Sequence, residues 1–109
     1  MTIGLVSYRQ AGITTRDSKR KADLEVYRQA LILYRSDNGT YPTVVTPLKI
    51  PASSANIGIA GLQSYVSAPY PSDPKNVSPY GYYYSSDGVT FTLSARLEKT
   101  GTDHILGNP

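Results

Sequence analysis

The sequence contains no cysteine, a single histidine and no run of about 18 apolar residues. The missing thiols exclude a disulfide framework, a thiolate metal site and a cysteine nucleophile. Because His104 is the only imidazole, a metal triad built on histidine cannot form. Nothing in the sequence as printed is apolar for long enough to span a bilayer.

Motifs of catalysis are also missing. The chain has no G-x-S-x-G elbow, no phosphate-binding P-loop and no H-E-x-x-H helix. Its 109 residues favour one domain with one modest core, which leaves little room for a deep catalytic cavity. We therefore expect that the chain is not an enzyme and that it carries no cofactor.

The positive charge is unevenly placed. The formal net charge is +3. Most basic residues fall in the first third of the chain: Arg9, Arg16, Lys19, Arg20, Lys21, Arg28 and Arg35. Such a stretch is typical of a solvated helix face, and it can also attract phosphate, anionic lipid heads or an acidic partner surface.

A helical pattern runs over residues 15–36. Four large side chains follow spacings of three and four and so share one face: Leu24, Tyr27, Leu31 and Tyr34. Gly39 can supply the left-handed residue that ends the helix. The start is either a cap at Asp17 or Ser18 or lies further back toward Ile3, and we favour the longer helix.

The middle of the chain is rich in proline, serine and threonine and reads as loop. Short extended pieces are expected at Val44-Val45 or at 48–50. The segment 57–66 has room for a short helix with Leu62, Tyr65 and Val66 facing inward.

The clearest strand signal is the strict alternation of apolar and polar residues over 89–98, which predicts one buried and one wet face. Asp87-Gly88 predicts a two-residue type I′ turn back to the tyrosine-rich segment 80–85. That turn predicts three inward pairs: Tyr84 with Phe91, Tyr82 with Leu93 and Tyr80 with Ala95. A third strand is expected near 104–106.

These elements predict an α+β fold in which one long N-terminal helix packs on a small antiparallel sheet of about three strands. The expected segments are a helix over 1–38, a loop region over 39–79 and the sheet over 80–109. The expected core is Leu24, Tyr27, Leu31, Tyr34, Tyr82, Tyr84, Phe91, Leu93 and Leu97. So long a helix leaves its front turns without a partner inside the domain, which is a physical hint of assembly.

The helix resembles that of the type IV pilins and the type II secretion pseudopilins. Its segment 16–24, Arg-Asp-Ser-Lys-Arg-Lys-Ala-Asp-Leu, resembles their basic stretch on the second half of the long helix. Their helix ends in Y-x-x-x-x-G-x-Y-P, matched here by Tyr34, Gly39, Tyr41 and Pro42. The runs 70–74, 82–84 and 91–93 resemble the L-P-x-D-P, Y-x-Y and hairpin of pseudopilins. The resemblance spans 7–98.

The resemblance implies a structural subunit of a type IV pilus-like filament. Members carry a short leader that a prepilin peptidase removes, followed by about twenty apolar residues. That apolar half anchors the subunit in the inner membrane and later packs in the filament core. Residues 2–8 resemble its end, so we expect an N-terminally shortened form with Met1 added, soluble and monomeric, of a subunit destined for a cell-surface filament.

The resemblance also implies partners: other pilin subunits and an inner-membrane assembly platform, in filaments that serve motility, adhesion or secretion. We expect Arg16, Lys19, Arg20 and Lys21 to form the assembly or partner surface. Pilin-like proteins that take up DNA suggest nucleic acid as a less favoured partner. The alternative is a secretion pseudopilin with a calcium-stabilised fold, for which Asp103 is a weak candidate ligand.

Overall fold

The computed structural model describes residues 2–53, 56–59, 61–67 and 69–107, with side chains described from Gln10 onward. One long helix packs on a four-stranded antiparallel sheet of order β1-β2-β3-β4. The elements are helix α1 (Thr2–Asn38), β1 (Val44–Ile50), a short 3₁₀ helix (Leu62–Tyr65), β2 (Tyr82–Ser86), β3 (Phe91–Arg96) and β4 (Asp103–Gly107). The α+β class is confirmed, whereas the expected strand count of three is wrong.

The additional strand is β1, at the edge of the sheet within the region expected to be loop. It pairs antiparallel with β2, and its register shifts between Val44 and Leu48. Pro47 lies in that irregular stretch, where it cannot donate a ladder hydrogen bond and is tolerated because the strand is at an edge. The extended pieces expected at Val44-Val45 or at 48–50 are the two ends of this strand. Pro47 and the interrupted alternation between them kept the sequence from predicting one continuous strand.

Helix α1 begins at Thr2, so the structure has the longer of the two alternatives. It ends where the N–H of Gly39 donates to the carbonyl of Arg35 at 2.7 Å. Gly39 has a φ of +85°, the left-handed conformation that terminates helices and that suits glycine. Among the described residues, none of the helices combines the length and the apolarity that crossing a bilayer requires.

The hairpin of β2 and β3 forms with a different register from the predicted one. The observed pairs are Tyr82 with Ala95, Tyr84 with Leu93 and Ser86 with Phe91. The predicted pairs, Tyr84 with Phe91, Tyr82 with Leu93 and Tyr80 with Ala95, are wrong by two residues. A shift of two keeps each side chain on its face, so the tyrosines expected to point inward within β2 still do so.

The turn is longer than predicted because side chains organise it. Asp87 Oδ1 accepts the N–H groups of Val89 at 2.9 Å and Thr90 at 2.8 Å. The Ser86 hydroxyl donates to the carbonyl of Thr90 at 2.6 Å and accepts the N–H of Gly88. The connection therefore spans 87–90, and Val89, expected to be buried, is 68% exposed.

The core lies between one face of α1 and the inner face of the sheet. Seven of the nine residues expected in it are buried: Leu24, Tyr27, Leu31, Tyr82, Tyr84, Phe91 and Leu93. Tyr34 and Leu97 are only partly buried, since Tyr34 packs against the rim of the core and Leu97 begins the turn after β3. Residues from β1 and the middle of the chain complete the core, among them Tyr41, Ile50, Ile57 and Leu62.

Two leucines on α1 test which face of the helix is buried. Leu31 is fully buried, whereas Leu33 is 53% exposed. Leu31→Ala should lower the free energy of unfolding by about 2–5 kcal/mol, because it removes apolar contacts and leaves a cavity. Leu33→Ala should change it by less than about 0.5 kcal/mol, as surface substitutions usually do. Urea denaturation measures both, and equal losses would contradict this orientation of α1.

Candidate functional site

The four basic residues expected to form a partner surface are in very different environments. Arg20 is fully buried, so its assignment to an exposed surface is wrong. The side chains of Arg16 and Lys19 are 35% and 47% exposed, and each is held by an acidic residue. Lys21 is exposed and makes no ion pair with any residue that the structure describes.

The Arg20 guanidinium is surrounded by three carboxylates. Two of its nitrogens bind Asp73, with Nε 2.7 Å from Oδ2 and Nη2 3.1 Å from Oδ1. Its Nη1 donates to Asp17 Oδ1 and to Glu98 Oε2, both at 2.8 Å. The planar group also lies 4.9 Å from the ring centroid of Tyr80. This fork-shaped set of contacts is one that arginine, but not lysine, can make.

The carboxylates connect Arg20 to two segments distant in sequence. Asp73 Oδ1 accepts the N–H groups of Lys75 at 2.8 Å and Asn76 at 3.1 Å, which fixes the loop before β2. Asp17 accepts the N–H groups of Glu98 at 2.9 Å and Lys99 at 3.1 Å, which fixes the turn between β3 and β4. A single buried cation thus joins the middle of α1 to both segments.

Two more cations complete the cluster at Glu98. Arg16 binds it through both oxygens, with Nε–Oε2 at 2.5 Å and Nη2–Oε1 at 2.9 Å. Lys75 Nζ lies 3.2 Å from Oε1. We call Arg16, Asp17, Arg20, Asp73, Lys75 and Glu98 the Arg20 cluster. Three positive charges meet three negative ones, so the cluster is neutral and offers no net charge to a partner.

The pKa values in the cluster follow from these contacts. The hydrogen bond from Arg16 is the main cause that lowers the pKa of Glu98 to about 2. Burial alone would raise the pKa of Asp17 and of Asp73. For Asp17, hydrogen bonds from backbone N–H groups and then from Arg20 outweigh burial, so its pKa is lowered. For Asp73, hydrogen bonds from Arg20 and then from backbone N–H groups have the same result. All three acids are therefore charged at neutral pH.

Lys19 belongs to a second contact between α1 and the sheet. Its Nζ lies 2.5 Å from Asp23 Oδ2 and 3.0 Å from the carbonyl oxygen of Ser72. The same Asp23 oxygen accepts the hydroxyl of buried Tyr82 at 2.7 Å. Through Asp23, Lys19 thus stabilises the contact between α1 and β2, and it is only partly available to a partner.

The weak calcium candidate Asp103 lies on β4 and is engaged in an exposed ion pair. Its Oδ1 lies 2.7 Å from Arg96 Nε across the β3–β4 ladder. Over the part of the chain that the structure describes, no three or more His, Cys, Asp or Glu side chains are grouped so that they could hold a metal ion. The structure thus brings no pair of further acidic ligands to Asp103 within that part of the chain.

Comparisons with models of protein families, with curated proteins and with solved structures find no match to this chain. Sequence reasoning missed Asp73 and Glu98, which lie 53 to 82 residues from their partners on α1. It also missed Lys75, which joins the cluster through Glu98. Only the spacing of Asp17 and Arg20, three apart on a helix, gave a local signal.

The acids of the Arg20 cluster predict how stability depends on pH. Because folding lowers the pKa of Glu98 from 4.5 to about 2, its contribution is complete above pH 4.5 and is lost as the pH falls toward 2. Asp17 and Asp73 act in the same direction. The free energy of unfolding should therefore decrease as the pH falls across this window, and the decrease should be smaller in the Glu98→Gln variant. Urea denaturation at several pH values measures it.

Glu25 provides the matched control, since it is an exposed acid on the same helix and, among the described residues, pairs only with Arg28 at 3.2 Å. Glu25→Gln should keep the wild-type slope because exposed ion pairs contribute little. If Glu98→Gln and Glu25→Gln gave the same slope, the cluster would not be the source of acid sensitivity.

Proposed function

We propose that this chain is the globular part of a structural subunit in a type IV pilus-like filament, and that it is not an enzyme. The observation that carries the proposal is that the two halves of α1 differ in burial. The second half of the helix packs on the sheet, whereas the described side chains before Asp17 include none that is buried. A filament core of parallel helices would bury that front half.

The dimensions support this division. Helix α1 has 37 residues and is about 55 Å long, which accounts for the 57 Å long axis of a molecule only 24 × 22 Å across. The strands have five to seven residues and measure about 17–24 Å. The sheet can cover less than half of the helix. The part that precedes Asp17 is about 22 Å long. None of its described side chains, Gln10 to Arg16, is buried, which leaves a surface for neighbouring subunits.

The Arg20 cluster gives the subunit the rigidity that a filament requires. It joins α1 to the loop before β2 and to the β3–β4 turn, where the packed half of the helix begins. Buried charge pairs of this kind cost several kcal/mol when one partner is removed. Force applied to the sheet would therefore pass to the helix without the two separating. This property suits a subunit whose front helix is held by its neighbours.

Thiol labelling tests the proposal, because the sequence has no cysteine of its own. The natural open reading frame would carry Ala11→Cys on the front of α1, or Val89→Cys at the hairpin tip, in the native host. Both positions are exposed in the single chain. Filaments sheared from the cells would be labelled with a maleimide before and after dissociation.

If the front of α1 is buried in the filament core, the thiol of the Ala11→Cys variant should react at least about tenfold more slowly in intact filaments than after dissociation. A buried thiol is inaccessible to the maleimide. The thiol of the Val89→Cys variant should react at similar rates in both states. Absence of the protein from sheared filaments, or equal labelling of the Ala11→Cys variant in both states, would contradict the proposal.

A further inference from the structure

A small groove lies between α1 and the β3–β4 turn, beside the Arg20 cluster. Its volume is about 180 Å³, enough for an oxyanion and a few waters, since one water occupies about 30 Å³. Thr14, Ser18 and Lys21 line it from α1 at spacings of four and three, which puts them on one helix face. Lys99 and Thr100 line it from the turn.

The groove is held in shape by the backbone. Asp17 accepts the N–H of Lys99 at 3.1 Å, which fixes this residue beside α1. Within the turn, the N–H of Gly101 donates to the carbonyl of Leu97 at 3.0 Å, and the hydroxyls of Thr100 and Thr102 lie 2.8 Å apart. The two walls therefore keep their relative position without a ligand.

The charge in the groove is positive. Asp17 is the only acid among the described residues that line it, and this carboxylate is already bound by Arg20 and by two backbone N–H groups. Lys21 and Lys99 form no ion pair with the residues that the structure describes. The hydroxyls of Thr14 and Ser18 likewise have no hydrogen-bond partner there. Two cations and two hydroxyl donors thus share one preformed groove.

We propose that this groove binds a phosphate group, held by the ammonium groups of Lys21 and Lys99 and by the hydroxyls of Thr14 and Ser18. A phosphomonoester fits this donor set best because it carries a charge of about −1.5 to −2 and three acceptor oxygens. Because binding is tested on the single chain, the outcome does not depend on whether the chain assembles into filaments.

The test is a titration of the ¹⁵N-labelled chain with inorganic phosphate, followed by amide chemical shifts and compared with sodium chloride at matched ionic strength. Residues 14–21 and 97–100 should shift with phosphate and not with chloride. The double substitution Lys21→Gln and Lys99→Gln should weaken binding by about tenfold or more, because two charge-assisted hydrogen bonds are lost. Lys49→Gln on β1 removes the same kind of charge elsewhere and should weaken it less than about twofold.

A second arm separates the sources of phosphate. The chain would be sedimented with phosphatidylcholine vesicles that either contain or lack phosphatidic acid, whose headgroup is a phosphomonoester. Binding to inorganic phosphate and to the acidic vesicles, both lost in the double variant, assigns the ligand to a lipid headgroup. Binding to inorganic phosphate alone assigns it to a small soluble phosphomonoester. Shifts that chloride reproduces, or that survive the double substitution, would overturn the proposal.

Discussion

The burial of one guanidinium is the constraint on which the rest of the structure depends. Taking Arg20 out of water carries a penalty of several kcal/mol, which only well-placed counter-charges can offset. Asp73 supplies a two-point contact, and Asp17 and Glu98 supply the remaining acceptors. Asp17 lies on α1 three residues before Arg20, whereas Asp73 and Glu98 must be brought to the helix by defined backbone paths. The loop before β2 and the turn after β3 are positioned by that requirement.

This constraint also divides the molecule. The described residues beyond the Arg20 cluster contribute the apolar face of α1, led by Leu24, Tyr27 and Leu31, to a core shared with the sheet. On the other side of the cluster, the described helical residues include none that is buried. The proposed filament uses this difference between the packed second half of α1 and the described front residues, Gln10 to Arg16, none of which is buried. Beside this neutral cluster, Lys21 and Lys99 form no ion pair with the described residues and remain available to a ligand.

Local patterns predicted most helices and strands, whereas the hairpin register, the full extent of β1 and the burial of Arg20 depend on contacts that the local pattern does not show. The spacing of Leu24 and Leu31 identified the buried face of α1, and alternation over 91–96 identified β3, because both periodicities are set by the backbone itself. The turn at Asp87 was misjudged since side-chain hydrogen bonds lengthened it by two residues. Strand β1 lacked alternation around Pro47. Arg20 was assigned to the surface because its deciding partners lie 53 and 78 residues away.

Native-state hydrogen exchange along α1 tests most directly whether the Arg20 cluster separates a packed half of the helix from a free half. Amides from Leu24 to Leu31 should open only with global unfolding, whose free energy for a domain is about 5–15 kcal/mol. Amides from Ala11 to Thr15 should open several kcal/mol more easily, with the change in protection falling between Asp17 and Arg20. Uniform protection along the helix, or a change in protection elsewhere, would contradict the account.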